Sequence, residues 1–67
     1  MVKFSVVSLG ENMRDMAYAM KELKNENLIA ATEKDQYNDT VYMTHNIVAV
    51  KKIIEDYDGL MVDIHKE

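Results

Sequence analysis

The residues best suited to chemistry in this chain are its two histidines, His45 and His65. Imidazole and carboxylate groups both bind transition metals, so these two histidines and Asp63 could supply the ligands of a metal site. The two histidines fall in different predicted strands, however, and their spacing does not bring them together. We interpret each as a surface histidine at the end of a strand, and we predict no metal site.

The segment from Asp56 to Gly59 has the composition of part of a calcium-binding loop. If Gly59 is the turn glycine of such a loop, the first ligand position falls on Ile54 and the last on His65. Calcium requires a shell of oxygen ligands that is closed by a bidentate carboxylate, and neither residue provides one. The segment therefore predicts the end of a helix followed by a turn.

The sequence carries no recognisable catalytic motif. No serine or threonine lies in a nucleophile elbow or beside an evident base. The two glycines, Gly10 and Gly59, do not form a phosphate-binding loop. Cysteine is absent, which excludes a disulfide and a cysteine-based zinc site. We therefore predict no enzyme activity and no cofactor.

The charge of the chain bears on its partners. Twelve acidic residues against eight basic ones give a net charge of −4. Nucleic acids and anionic membranes bind positively charged surfaces. The negative net charge therefore predicts that neither is a partner. RNA-binding domains also need a basic motif beside their stacking aromatics, and this sequence has none. A protein partner with a basic surface fits the charge better.

The length of 67 residues predicts a single domain, residues 1–67. A domain of this size buries only about 60% of the surface that its unfolded chain exposes, so its stability is marginal. Without a disulfide, self-association is one remaining source of stability, and we predict a homodimer. The lack of cysteine, of a signal peptide and of a long apolar segment predicts a cytoplasmic protein. The many Asn, Lys, Ile, Met and Tyr residues are typical of A–T-rich genomes, including those of many phages.

The first half of the chain predicts a strand and a helix. Phe4, Val6 and Ser8 alternate with residues of mixed character, as in a strand with one apolar face. Ser8 to Glu11 match a capping box, although Asn12 is a rival cap. A helical stripe follows: Met13, Met16, Ala17, Met20 and Leu23. The helix should end near residues 25–27, where asparagine can adopt the left-handed conformation.

The second half predicts a hairpin, a helix and a last strand. Residues 28–34 and 40–45 read as strands joined by the turn-forming residues 35–39. Thr44 or Asn46 can cap the following helix, whose apolar face consists of Ile47, Val50, Ile54 and Tyr57. Gly59 ends that helix, and Leu60, Val62 and Ile64 then alternate as a fourth strand.

The order strand, helix, strand, strand, helix, strand predicts a small α+β fold, a ferredoxin-like two-layer sandwich. One alternative stays open. Ile47 to Val50 are rich in β-branched residues, and Asp58-Gly59 is also a strong hairpin signal. In that interpretation residues 47–57 form a strand, and one helix packs on a mostly antiparallel sheet.

The alternation in the predicted strands and the spacing in the predicted helices assign an inward and an outward side to each element. The inward residues are Phe4, Val6, Met16, Met20, Val41, Met43, Ile54, Leu60, Val62 and Ile64. On the open face we expect a small apolar patch, and near it a group of carboxylates that attracts a basic partner. The predicted partner-binding residues are Val7, Tyr42, Met61, Asp56, Asp58 and Asp63.

The predicted dimer contact is the second strand. In the strand order 4-1-3-2, strands two and four are the edges of the sheet. Strand four carries charged residues that discourage pairing, whereas Leu28, Ile29, Ala30 and Ala31 carry none.

These observations give two functional hypotheses. The first is a small acidic protein-interaction module, of the kind found in phage inhibitors or antitoxins, that binds a macromolecular target. The second is a dimeric regulatory domain that binds a small ligand at the subunit interface.

Overall fold

The computed structural model describes residues 1–10 and 13–65. The elements follow the predicted order, and they confirm the ferredoxin-like α+β fold. Residues 47–55 are helical, so the alternative in which residues 47–57 form a strand is wrong. The elements are β1 (Val2–Ser8), α1 (Met13–Asn25), β2 (Ala31–Lys34), β3 (Thr40–Thr44), α2 (Ile47–Glu55) and β4 (Leu60–His65).

The four strands form one sheet in the order β2-β3-β1-β4, in which every neighbouring pair is antiparallel. The predicted strand order is confirmed, with β2 and β4 at the edges. The central strand β1 pairs with β4 from Lys3 to Ser8, but it pairs with β3 only from Val2 to Phe4. The two pairings of β1 therefore differ in length.

The end of α1 is a Schellman motif. Asn27 takes the left-handed conformation with a φ of 57°. The N–H of Leu28 donates to the carbonyl of Leu23 at 2.9 Å, and the N–H of Asn27 donates to that of Lys24 at 3.1 Å. Leu28 is half-buried against the core, as the motif requires. The predicted end of the helix is confirmed. At its start, Ser8 of the predicted capping box is the last residue of β1, and its partner Glu11 and the rival cap Asn12 lie outside the described residues.

The cap of α2 explains why a β-branched segment becomes a helix. The side-chain oxygen of Asn46 accepts the N–H of Ala49 at 3.2 Å, and the hydroxyl of Thr44 accepts the N–H of Asn46 at 3.1 Å. A helix that begins after Asn46 places Val50 and Ile54 in the core, where both are fully buried. In the part of the chain described, neither helix is long and apolar enough to cross a lipid bilayer.

The core lies between both helices and one face of the sheet. Phe4, Ala19, Leu23, Val50, Ile54 and Leu60 are its buried residues. Four further predicted core residues pack against them in half-buried positions: Val6, Met16, Met20 and Val62. Ile64 is 42% exposed, so its predicted burial is wrong. It lies near the end of an edge strand, which has a neighbour on one side only.

The faces of β3 are opposite to those predicted. Tyr42 pairs with Phe4, and their ring centroids are 5.6 Å apart, so Tyr42 belongs to the helix-covered face. Val41 and Met43 therefore lie on the open face. Val41 is nevertheless only 2% exposed, because Lys3 and Glu33 form an ion pair at 3.2 Å across β3 on that face. Their aliphatic stems cover the strand.

The reassignment of β3 predicts that Tyr42→Ala destabilises the fold. The variant loses both buried area and the contact with the ring of Phe4, so its free energy of unfolding should fall by about 2–3 kcal/mol. Tyr37→Ala is the matched control because Tyr37 is 76% exposed in the hairpin turn. Chemical denaturation followed by circular dichroism measures both variants. Equal stability of Tyr42→Ala and wild type would place Tyr42 on the open face.

Tyr57, two residues after the end of α2, contacts α1. Its hydroxyl donates to a carboxylate oxygen of Glu22 at 3.2 Å. Desolvation raises the pKa of Tyr57 above its ordinary value of 10.0. The hydrogen bond to Glu22 and the negative charges of Glu22, Asp15 and Asp56 raise this pKa further.

The raised pKa predicts a stability that depends on pH. Above pH 10.0 the unfolded chain releases the Tyr57 proton more readily than the folded chain does, so the fold loses this contribution as the pH rises through the folded-state pKa. Tyr57→Phe cannot lose a proton. In denaturation curves, the stability of wild type relative to Tyr57→Phe should therefore be constant below pH 10.0 and should decrease as the pH rises from 10.0 through the folded-state pKa. A constant difference throughout would contradict the pKa shift.

Candidate functional site

The open face of the sheet exposes a pair of apolar side chains. Val7 on β1 lies directly opposite Met61 on β4. Val7 is 41% exposed and Met61 is 50% exposed. Both helices pack on the other face, so neither covers this pair. Leu9 lies at the same end of the two strands and is 61% exposed; its N–H donates to the carbonyl of Gly59 at 2.6 Å.

A groove opens where β1 and β3 separate. Their pairing ends at Phe4 and Tyr42, and beyond it the start of β3 and the hairpin turn line a groove with the second half of β1. The groove has a volume of about 520 Å³ and is open to solvent. It is lined from the helix side by Val6, Met16, Met20 and Tyr42, from the open face by Ser5, Val7, Asp63 and His65, and from the hairpin by Asp35, Asp39 and Thr40.

The hairpin turn is held in place by one carboxylate. The Oδ1 atom of Asp35 accepts the N–H groups of Tyr37 and Asp39, each at 2.9 Å. The N–H of Asp35 donates to the carbonyl of Asp39 at 3.0 Å, and Asn38 adopts a left-handed φ of 65°. This Asx-type turn fixes Asp39 at the wall of the groove.

The electrostatics of the groove favour a cation. Three carboxylates line it, and none of the described residues that line it is a lysine or an arginine. One ammonium group lies close by, since Lys34 Nζ donates to the hydroxyl of Thr40 at 2.8 Å. Within residues 1–10 and 13–65, no hydrogen bond or ion pair engages the carboxylates of Asp39 and Asp63. Asp39 and Asp63 are both exposed.

Ser5 and His65 meet at the bottom of the groove. Ser5 Oγ lies 2.7 Å from His65 Nε2 and 3.3 Å from the carbonyl oxygen of Thr40. The carbonyl of Thr40 can only accept, so the single proton of the hydroxyl points to it. Ser5 Oγ then accepts a hydrogen bond from His65, which places the ring proton of a neutral His65 on Nε2.

Serine and histidine in contact are also the pair that nucleophilic catalysis by serine uses. In that chemistry the ring nitrogen accepts the serine proton, whereas here the ring N–H donates to Ser5 Oγ. What the structure shows is a contact that ties β1 to β4.

No metal site is found among the described residues, because no three His, Asp or Glu side chains are placed to hold an ion. His45 is exposed directly after β3, as predicted for a surface histidine. His65 differs from that prediction, since it is half-buried and hydrogen-bonded to Ser5.

The predicted partner-binding residues separate into three groups. Val7, Met61 and Asp63 share the open face, as predicted. Tyr42 reaches the groove from the helix side, so its predicted place on the open face is wrong. Asp56 and Asp58 are exposed between α2 and β4, and they do not line the groove.

Sequence reasoning missed Ser5, Asp35 and Asp39 as parts of a site. Ser5 and His65 are 60 positions apart. The only signal in the sequence that could have paired them is the alternation of β1 and β4, which places both residues on the same face of the sheet. The turn chemistry of residues 35–39 was recognised, but the groove beside it depends on where β1 and β3 separate.

Comparison of the chain with protein-family models, with curated protein sequences and with solved structures finds no match.

The hydrogen bond between Ser5 and His65 predicts a specific tautomer. Nitrogen NMR of neutral His65 should show the proton on Nε2 in the wild type. Ser5→Ala removes the acceptor of Nε2–H, so the population with the proton on Nδ1 should increase. His45, which lies outside the groove, is the internal control and should not change. A ring proton on Nδ1 in the wild type would show that Ser5 donates to Nε2 and not to Thr40.

Proposed function

We propose that the protein is an interaction module that binds another protein through the open face of its sheet. The Val7–Met61 pair carries this proposal: two large apolar side chains lie opposite each other and remain about half exposed. Contiguous apolar surface of this kind, bordered by polar groups, is typical of a protein-binding surface. Polar residues do border the pair, since Ser5 and Asp63 are the next residues of the same two strands on this face.

The charge of the protein supports a partner with a basic surface. The net charge is −4, and Asp63 lies beside the apolar pair. Asp56 and Asp58 add charge in the turn before β4. Acidic groups at the rim of an interface accelerate the approach of a basic partner and disfavour acidic ones such as nucleic acids and anionic membranes.

Within this class, the proposed role is that of a small cytoplasmic inhibitor or antitoxin-like protein, of the type that phages encode, without enzyme activity. The small size and the acidic surface support this role. Such a protein acts by occupying a surface of its target, so it needs no reaction centre of its own.

The proposal includes a homodimer that forms through β2, by a contact that differs from the one predicted from the sequence. β2 is an edge strand whose four residues are all exposed. Leu28 and Ile29 precede the strand and pack against the core, so they are not part of a free edge. The proposed dimer contact is therefore limited to Ala30 and the residues of β2, which begins at Ala31. Light scattering measures the oligomeric state.

A second candidate function is the binding of a small ligand. The groove favours it, because its volume of about 520 Å³ lies within the usual range for such sites. In this form the ligand occupies a groove within one chain and not the subunit interface. A thermal-shift screen with metabolites tests it.

The interaction proposal predicts that charges at the Val7–Met61 pair abolish target binding. Val7→Asp combined with Met61→Asp places two charges in the proposed interface, where removal of a central apolar contact alone costs about 2 kcal/mol. Affinity capture from a lysate identifies targets, and calorimetry then compares the variants on the purified target. Val48→Asp is the matched control because Val48 is 75% exposed on α2.

Two results of this experiment are decisive. Binding that is lost in the double variant and retained in Val48→Asp supports the open face as the interface, provided that circular dichroism shows both variants folded. Equal affinity of the double variant and wild type overturns the proposal and directs attention to the helix side.

A further inference from the structure

The groove is amphipathic along its length. Its inner wall consists of the apolar side chains of Val6, Met16 and Met20. Its outer wall carries Asp39 and Asp63 from opposite sides, one on the hairpin and the other on β4. A ligand that fills the groove therefore needs an apolar stem and a positively charged head.

The long basic side chains of proteins have this form. Lysine and arginine bury their aliphatic stems against apolar surface and keep their charge at its edge. Arginine fits this groove better than lysine for two reasons. Its planar guanidinium has several donors that can reach two separate carboxylates at once, whereas an ammonium acts as a point charge. It also stacks on aromatic rings, and Tyr42 lines the groove.

The groove adjoins the surface proposed for the partner. Val7 belongs both to the lining of the groove and to the exposed Val7–Met61 pair. Asp63 likewise lines the groove and follows Met61 by two residues on the same face. A peptide that covers the apolar pair can therefore insert one side chain into the groove without leaving the open face.

We propose that the groove between β1 and the hairpin turn receives an arginine side chain of the partner protein. This inference rests on the proposed function and makes it more specific, since it names the residue type by which the partner is recognised. The carboxylates of Asp39 and Asp63 bind the guanidinium, and the residues that flank the arginine pack on Val7 and Met61.

The test uses the full chain and a short peptide of known composition. Acetyl-Leu-Arg-Leu-amide is titrated into isotope-labelled protein and followed by two-dimensional NMR. The control peptide replaces arginine with citrulline, which has nearly the same shape and no charge. Saturable shifts are expected at the methyl groups of Met16 and Met20 and at the amides around Asp39 and Asp63. The citrulline peptide should bind several-fold more weakly.

Variants of the protein separate the roles of the carboxylates. Asp39→Asn and Asp63→Asn should each weaken the arginine peptide by about two- to fivefold, as is usual for exposed charge pairs. Neither should affect the citrulline peptide. Glu55→Gln is the matched control, because Glu55 is exposed on α2 and lies outside the groove. Asp35 is left unchanged because its carboxylate holds the turn.

Three results would overturn the inference. The first is the absence of saturable shifts in the groove. The second is equal binding of the arginine and citrulline peptides, which would mean that the groove does not select charge. The third is binding of n-butylguanidinium as tight as that of the peptide, which would indicate a small cationic ligand in place of a protein. The proposed function is decided separately, by the Val7 and Met61 variants on the captured target.

Discussion

The fold and its groove both depend on the unequal pairing of the central strand. β1 pairs with β4 over six residues but with β3 over only three. Phe4 lies in the shared part, fully buried, where both neighbours and the helices meet. Beyond Phe4 the paired residues of β1 and β3 end, and the start of β3 and the hairpin turn form one wall of the groove.

Ser5 connects the two sides of that space. Its hydroxyl lies within reach of the carbonyl of Thr40 on β3 and of the ring of His65 on β4. Ser5 directly follows Phe4, the last residue of β1 that pairs with β3. Its small side chain bridges strands that have begun to separate, and a larger apolar residue would fill the mouth of the groove. The polarity of Ser5 is therefore explained by position, and catalysis is not needed to explain it.

The elements that could be predicted from sequence are those specified locally. The motif at Asn27 that follows α1, the turn at residues 35–39 and the cap at Asn46 each satisfy their hydrogen bonds within a few residues. The order of strands follows from these elements because few topologies connect them. The faces of β3 were assigned wrongly for a different reason. Val41 and Met43 are more apolar than Thr40 and Thr44, but the Lys3–Glu33 ion pair covers the open face of β3. When both faces of a central strand are covered, its apolar and polar residues do not alternate clearly. The sequence then does not show which face of the strand packs against the helices.

The candidate site could be predicted only in part for a related reason. Val7 and Met61 were found because they alternate with core residues on strands whose orientation was correct. The groove depends on the point at which two strands separate, and no local pattern specifies it. The exposed pair also differs from the core in its energetic role. An apolar side chain stabilises a fold in proportion to the area that it removes from water, and these two leave about half of theirs exposed. Polar residues at both positions would cost the fold little, since neither side chain belongs to the cluster around Phe4. The core therefore does not require their apolar character, which is the feature on which the proposed contact with a partner rests.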